Sequence, residues 1–346
     1  MGLIRNLLRY GWMVPYLFGA SPAICKSFLN GKRTILQEFN SSTYYEPYAT
    51  SLRSGDIGYQ NNKEEMTGIK ACYDSVDAYI ASMRSAINTP YEGYAELGVK
   101  VDGVYQQLNA NILQIENEYY SSVRPKQIPE DIEKPSTALS KRGIAYVELR
   151  SLDVNAFDPH GINAEQLHFL EVFMLYCLLQ SSPKLSDNEI NAIDENLVLV
   201  AHKGREPGLD LHRDDLQGNA EKISLQDWAS ELCRQMKGVA NLLDRANHCE
   251  NYFSSVKSQL ACVFDPDLTP SARMLEEMRE NDEGFFQHAR RMSIYHCIYY
   301  KKLPLSADKI KYFEDMARQS IEKQKLKEQQ DDVSFDQFLQ DYFNSE

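Results

Sequence analysis

The 346 residues are 43% hydrophobic and 25% charged, the balance of an ordinary globular protein, and long enough for one large domain or two ordinary ones. Lys and Arg total 37 against 50 Asp and Glu, so the formal net charge is −13; this argues against nucleic acid as the main partner, because phosphate binding shows as a basic surface. The seven cysteines are scattered without a C-x-x-C, and the seven histidines show no H-E-x-x-H. That excludes a zinc-protease motif and favours reduced thiols over a disulfide framework.

Residues 3–10 read as the last turns of a helix. Arg5, Arg9 and Pro15 interrupt the apolar start, which lacks the order of a signal peptide. Met1-Gly2 resembles a myristoylation start, but Asn6 stands where Ser or Thr is expected. The longest strongly apolar run, residues 172–179, is far too short to cross a membrane. A soluble cytoplasmic protein is the expectation.

A segment punctuated by Pro and Gly, YGWMVPYLFGASPAIC, comes next. Residues 63–88 read as a helix, with Ile69, Tyr73, Val76, Ile80, Met83 and Ile87 at helical spacing and Thr89-Pro90 as its stop. Asp102-Gly103 between two short β-favouring runs predicts a hairpin. Residues 108–123 read as extended, with Asn109 and Asn111 in a polar row on one face. Residues 126–137, polar and carrying Pro129 and Pro135, read as a surface loop.

The stretch GIAYVELRSLDVNAFDP, residues 143–159, alternates as a strand does. Ala145, Val147 and Leu149 point one way; Tyr146, Glu148 and Arg150 point the other. One face can join a core. The other sets a carboxylate and a guanidinium two residues apart, and buried charges need a partner, a metal or a charged ligand. From the strand alone, Glu148 reads more readily as a solvated strand-face glutamate than as a metal ligand, and Arg150 as half of a structural Glu–Arg pair across the sheet or as one wall of a polar site.

Helical patterns dominate from residue 164 on. Residues 164–180 are apolar on most sides, and Ser186 with Glu189 forms a capping-box signal. Residues 224–246 carry Leu225, Trp228, Leu232, Met236, Val239 and Leu243 on one face. Thr269-Pro270 reads as an N-cap with Pro at the first helical position. Residues 309–330 are a charged, solvated run, and Ser334 with Gln337 caps a last helix whose Phe335, Phe338, Leu339, Tyr342 and Phe343 face inward. No linker divides the chain. The expectation is one α+β domain over 1–346, with strands in about 1–158 and helices in about 159–346.

YGWMVPYLFGASPAIC, PYATSLRSGDIGY, LNANILQIENEYYSSVRPK, GIAYVELRSLDVNAFDP and DPDLTPSARML, in this order, resemble bacterial-type glutamate–cysteine ligase. The resemblance covers nearly the whole chain and is least specific in the helical tail. It implies ATP-dependent joining of L-cysteine to the γ-carboxylate of L-glutamate through a γ-glutamyl phosphate, the first step of glutathione synthesis. It implies a partial antiparallel sheet similar to that of glutamine synthetase, lined with carboxylates that hold Mg²⁺, in a monomer. Glu148 matches the metal-binding glutamate of the strand motif. Arg150 matches the catalytic arginine that holds the phosphoryl group or a substrate carboxylate. Arg53, Tyr59 and Tyr120 match substrate-contacting residues, with Arg53 on a carboxylate and Tyr59 at the cysteine side. Glu116, Glu118 and Arg124 are candidates for the nucleotide side.

The family carries a further segment ahead of the Y-G-W motif, with an acidic cluster that supplies most Mg²⁺ ligands and a His-Tyr-Asn element. Neither is found in these residues. The resemblance therefore implies little activity for the chain alone, and leaves a rival reading: a non-catalytic helical binding protein derived from the ligase.

Overall fold

The computed structural model describes residues 1–58, 70–214 and 220–345. The first motif turns into two helices, α1 (Gly2–Arg9) and α2 (Met13–Phe18), followed by β1 (Ala23–Cys25). Pro15 does not prevent α2, because it sits in the first turn, where backbone N–H groups have no intrahelical acceptor. β2 (Gln37–Asn40) and β3 (Thr43–Tyr45) join β1 in a small antiparallel sheet ordered β1-β3-β2.

α3 runs from Val76 to Asn88, capped by the Ser75 side chain and buried through Tyr79, Ile80, Met83 and Ala86. The expected helix over 63–88 is therefore shorter: residues 70–75 are not helical, and 63–69 lie outside the described residues. After α4 (Glu92–Leu97), the Asp102-Gly103 hairpin forms as expected between β4 (Lys100–Val101) and β5 (Val104–Tyr105). Both turn residues take positive φ, 50° and 80°, which Asp and Gly tolerate better than most.

Residues 108–122 are not the extended strand expected. Side chains take the backbone partners there: Leu108 N–H donates to Gln114 Oε1 (2.7 Å), Asn111 N–H to Asn109 Oδ1 (2.9 Å), and Asn109 Nδ2 to the Gln114 carbonyl (2.7 Å). Such local bonds bend the chain away from a ladder, so the expected polar row of Asn109 and Asn111 does not form. Pro135, read as a loop signal, instead opens α5 (Pro135–Arg142) at its first position.

β6 (Val123–Lys126) and β7 (Tyr146–Leu149) pair antiparallel, with Val123 opposite Leu149, Arg124 opposite Glu148 and Lys126 opposite Tyr146. The helical half follows: α6 (Ala164–Leu179), α7 (Asp187–Lys203), α8 (Leu225–Asn247), α9 (Asn251–Phe264), α10 (Pro270–Glu280), α11 (Phe285–Lys302), α12 (Ala307–Gln330) and α13 (Phe335–Asn344). The expected segregation holds only in part, because a hairpin of β8 (Asp210–Asp214) and β9 (Ala220–Ser224) interrupts the helices.

One core joins both halves. Ile4 and Leu7 of α1, Phe169 and Phe173 of α6, Met236 of α8 and Val256 of α9 are fully buried in it, along with Val123 of β6. Trp12 packs on Trp228 (ring centroids 5.0 Å apart) and Phe18 on Phe169 (5.4 Å). Each large side chain sealed there contributes about 1.5–3 kcal/mol of burial. Two of the long motifs also meet: Arg273 of α10 stacks over Phe157, 3.8 Å from its centroid. The inward face expected for α13 is corrected: only Leu339 is buried, while Phe335 and Phe338 stay exposed. Ten residues beside a hairpin and a loop meet too little apolar surface to cover both sides of the stripe.

Candidate functional site

The two faces of β7 behave as the alternation predicts. Val147 and Leu149 pack against the core, and Glu148 and Arg150 lie on the opposite face. The antiparallel register adds Arg124 and Lys126 to that charged face from β6. Arg124 is 6% exposed, yet among the described residues its guanidinium makes only two long bonds, to the Asn117 carbonyl at 3.4 Å, and its buried Nε has no hydrogen-bond partner. Burial, then the nearby Arg150, pulls its pKa below the ordinary value.

Glu148 faces Lys126, whose Nζ lies 3.6 Å from Oε2. That is an ion-pair distance, too long for a hydrogen bond, and Oε2 is buried without a hydrogen-bond partner. Burial lowers the Lys126 pKa, while Glu148 works against the shift.

Arg150 Cζ stands 5.2 Å from the centroid of the Tyr120 ring, a cation–π distance. Its N–H donates to the Ser122 carbonyl (2.8 Å). Arg53 reaches the same place from a 3₁₀ turn, Leu52–Ser54. Its Nε donates to Asp153 Oδ1 (2.5 Å), and its Nη2 to the carbonyls of Leu152 (3.0 Å) and Arg150 (3.3 Å). Burial disfavours the charged guanidinium, but the Asp153 hydrogen bond and charge, helped by Tyr120, outweigh it and raise the Arg53 pKa.

The structure thus brings together Arg53, Tyr120, Glu148 and Arg150; Tyr59 lies outside the described residues. A cleft of about 850 Å³ reaches this cluster at Tyr120 and Ser122, although Arg53, Glu148 and Arg150 do not line it. Glu116 and Glu118 have other work. Glu116 accepts the Ser136 N–H (2.6 Å) and hydroxyl at the start of α5, and Glu118 accepts the Gln114 N–H (2.7 Å).

Asp153 was missed by sequence reasoning. It is 5% exposed and also accepts the Ala20 N–H (2.8 Å) and the Ser21 hydroxyl (2.7 Å). Its signal was present: an aspartate in the same motif, three residues past Arg150. Among the described residues, no group of three or more acidic, His or Cys side chains could enclose a metal ion.

The fold and this face define an α+β protein that sets cationic groups and one carboxylate side by side on a sheet, a site suited to anionic ligands. The glutamate–cysteine ligase family model matches residues 1–200, and the chain belongs to that family. It is 45% identical over 342 residues to a glutamate–cysteine ligase of Pseudomonas putida, covering 99% of this chain and 64% of that protein. It is 43% identical to one from Alcanivorax borkumensis, covering 99% and 65%. The crystal structure of glutamate–cysteine ligase from Francisella tularensis in complex with AMP superposes with a TM-score of 0.88 at 34% identity, covering 99% of this chain and 66% of that one. A bifunctional glutathione synthetase from Pasteurella multocida shares the fold at a TM-score of 0.56 and 22% identity, covering 85% and 31%. The chain thus spans less than two thirds of the length of the curated relatives it matches.

Proposed function

We propose that this chain carries part of the active site of an ATP-dependent ligase that joins the amine of L-cysteine to the γ-carboxylate of L-glutamate through a γ-glutamyl phosphate. The observation that carries the reading is the convergence of Arg53, Tyr120, Glu148 and Arg150, from three separate motifs, on one side of β6 and β7. Membership of the ligase family supports it. The AMP in the Francisella structure supports a nucleotide as co-substrate. The glutamine synthetase-like ancestry of the sheet, a monomeric state and a cytoplasmic setting belong to the same proposal. No helix among the described residues is long and apolar enough to cross a membrane.

Glu148 fits Mg²⁺ as a single ligand. Its Oε2 is buried and lacks a hydrogen-bond partner, and Mg²⁺ is commonly held by one or two carboxylates together with phosphate oxygens and water. When bound, the ion neutralises charge on the transferring phosphoryl group. Arg150 holds that group or a substrate carboxylate through its planar fork, braced by the Tyr120 ring. Arg53 faces a substrate carboxylate with its plane fixed by Asp153. Tyr59 completes the cysteine side of the reading.

Among the described residues, Glu148 is the one carboxylate on the charged face of β6 and β7, and a single carboxylate gives little of the charge neutralisation that phosphoryl transfer needs; slow turnover by this chain alone is therefore part of the proposal. The test is phosphate release with Mg²⁺, ATP, glutamate and cysteine, with and without the remaining third of a relative added as a separate polypeptide. Little turnover alone and recovery on mixing are expected. Turnover alone near that of a full-length relative overturns the dependence on further carboxylates. Failure to bind ATP or glutamate in either state overturns the ligase reading.

A further inference from the structure

His202, in the last turn of α7, stands between two carboxylates. Its Nδ1 lies 2.8 Å from Glu46 Oε2 and its Nε2 2.5 Å from Asp56 Oδ1. The ring is almost enclosed: 9% of the side chain is exposed. A neutral imidazole has one N–H and one lone pair, so it can donate to only one of these oxygens. The doubly protonated ring donates to both, and a helix C-terminus favours that positive charge.

The two carboxylates bracket the segment that carries Arg53, and the end of α7 is its bed. The N–H groups of Thr50 and Ser51 donate to the Ala201 carbonyl (2.9 and 3.3 Å). Thr50 Oγ1 donates to the Val200 carbonyl (2.8 Å), and Arg205 Nη2 to the Pro47 carbonyl (2.6 Å). A Cβ on Gly55 would lie 3.0 Å from Ala201 Cβ and 3.4 Å from the imidazole, so glycine allows the close approach.

We infer that His202 is a positioning residue for Arg53: a protonated imidazole that staples residues 46–56 to the end of α7 and lets the Asp56 side go when it loses a proton. Asp56 is the side that opens because its side chain is 56% exposed against 15% for Glu46, so it regains water at least cost. Glu46 and Asp56 are the charged groups facing the ring. On the same stretch, Lys203 is directed to Glu206 (3.9 Å) and Arg205 to backbone carbonyls. Burial lowers the His202 pKa, but its bonds to Glu46 and Asp56 outweigh this and raise it above the ordinary 6.5. The staple is therefore complete below about 6.5 and lost as pH rises through the folded value. The functional consequence rests on the reading of Arg53 as a substrate residue; the staple itself does not.

The experiment follows the His202 ring by NMR across pH in the full chain, with amide exchange at Leu52, Arg53 and Ser54 corrected for its intrinsic pH dependence. A midpoint above 6.5 is expected, with several-fold loss of protection in the loop as pH rises through it. Asp56→Asn should lower the midpoint, speed exchange several-fold at low pH and flatten its pH profile, leaving α6 unchanged. His202→Gln should flatten the profile too; if it fails to fold, the exposed Asp56→Asn variant still decides. A midpoint at or below 6.5, or an unchanged profile in Asp56→Asn, overturns the inference. None of these readouts uses a substrate, so failure of the ligase reading would show separately, as lost ATP or glutamate binding.

Discussion

Of the places where this chain sets an arginine against a glutamate, two end differently. Arg9 of α1 meets Glu189 of α7 in a buried fork, Nε to Oε1 at 2.5 Å and Nη2 to Oε2 at 3.1 Å. Its remaining donors go to Asn6 Oδ1 (3.0 Å) and the Pro183 carbonyl (2.8 Å). Arg124 and Glu148 are direct cross-strand partners, yet among the described residues they form no ion pair with each other; Glu148 faces Lys126 at 3.6 Å instead, and each of the two leaves a buried polar atom without a hydrogen bond. The first pair is finished and holds two segments together. The second is unfinished, which is the observation behind the proposal that this face meets a ligand.

Breaking the finished pair should have the largest effect. Arg9→Met leaves Glu189 buried and uncompensated and should cost about 3–5 kcal/mol, read from guanidinium or urea midpoints. A cost under 1 kcal/mol would remove the contrast. Asp153→Asn weakens the acceptor shared by Arg53, Ala20 and Ser21 and should cost about 1–3 kcal/mol by the same measurement, with faster amide exchange around Arg53.

Glu148→Gln sharpens the comparison from the other side. It should change stability by no more than about 1 kcal/mol, because no hydrogen bond to its Oε2 is lost. It should still weaken Mg²⁺·ATP binding about tenfold or more by calorimetry, about 1.4 kcal/mol. Loss of stability comparable to Arg9→Met would show that Glu148 is structural. The smallest effect belongs to exposed pairs: Arg318 and Asp315 are paired on α12 with the arginine 66% exposed, and Arg318→Ala should cost less than about 0.5 kcal/mol in thermal melts.

Local chemistry was legible wherever one residue decides a turn or a cap. Asp102-Gly103, Thr269-Pro270, Ser186 and Ser334 mark the elements expected of them, though Glu189 serves Arg9 instead of completing a capping box. The same rules misled where one residue has two meanings. Pro15 and Pro135 punctuate loops in one context and sit in the first turn of a helix in another. Nothing in residues 210–224 announced the β8–β9 hairpin, whose strands carry Asp, His, Arg, Glu and Lys among few apolar residues. The apolar stripe of α13 was visible in sequence, but the amount of surface available to bury it was not.

The sequence by itself determined which side of each strand could be apolar, because alternation is a property of the extended backbone. It placed Glu148 and Arg150 on one face, and the motifs singled out Arg53 and Tyr120. Only the tertiary structure decided what stands around them: Arg124 opposite Glu148, the Tyr120 ring beneath Arg150, Asp153 behind Arg53, and His202 gripping the Arg53 segment from α7. Those partners are fixed by strand register and by helices packing on a shared core, and a residue's neighbours within its own motif carry no record of either.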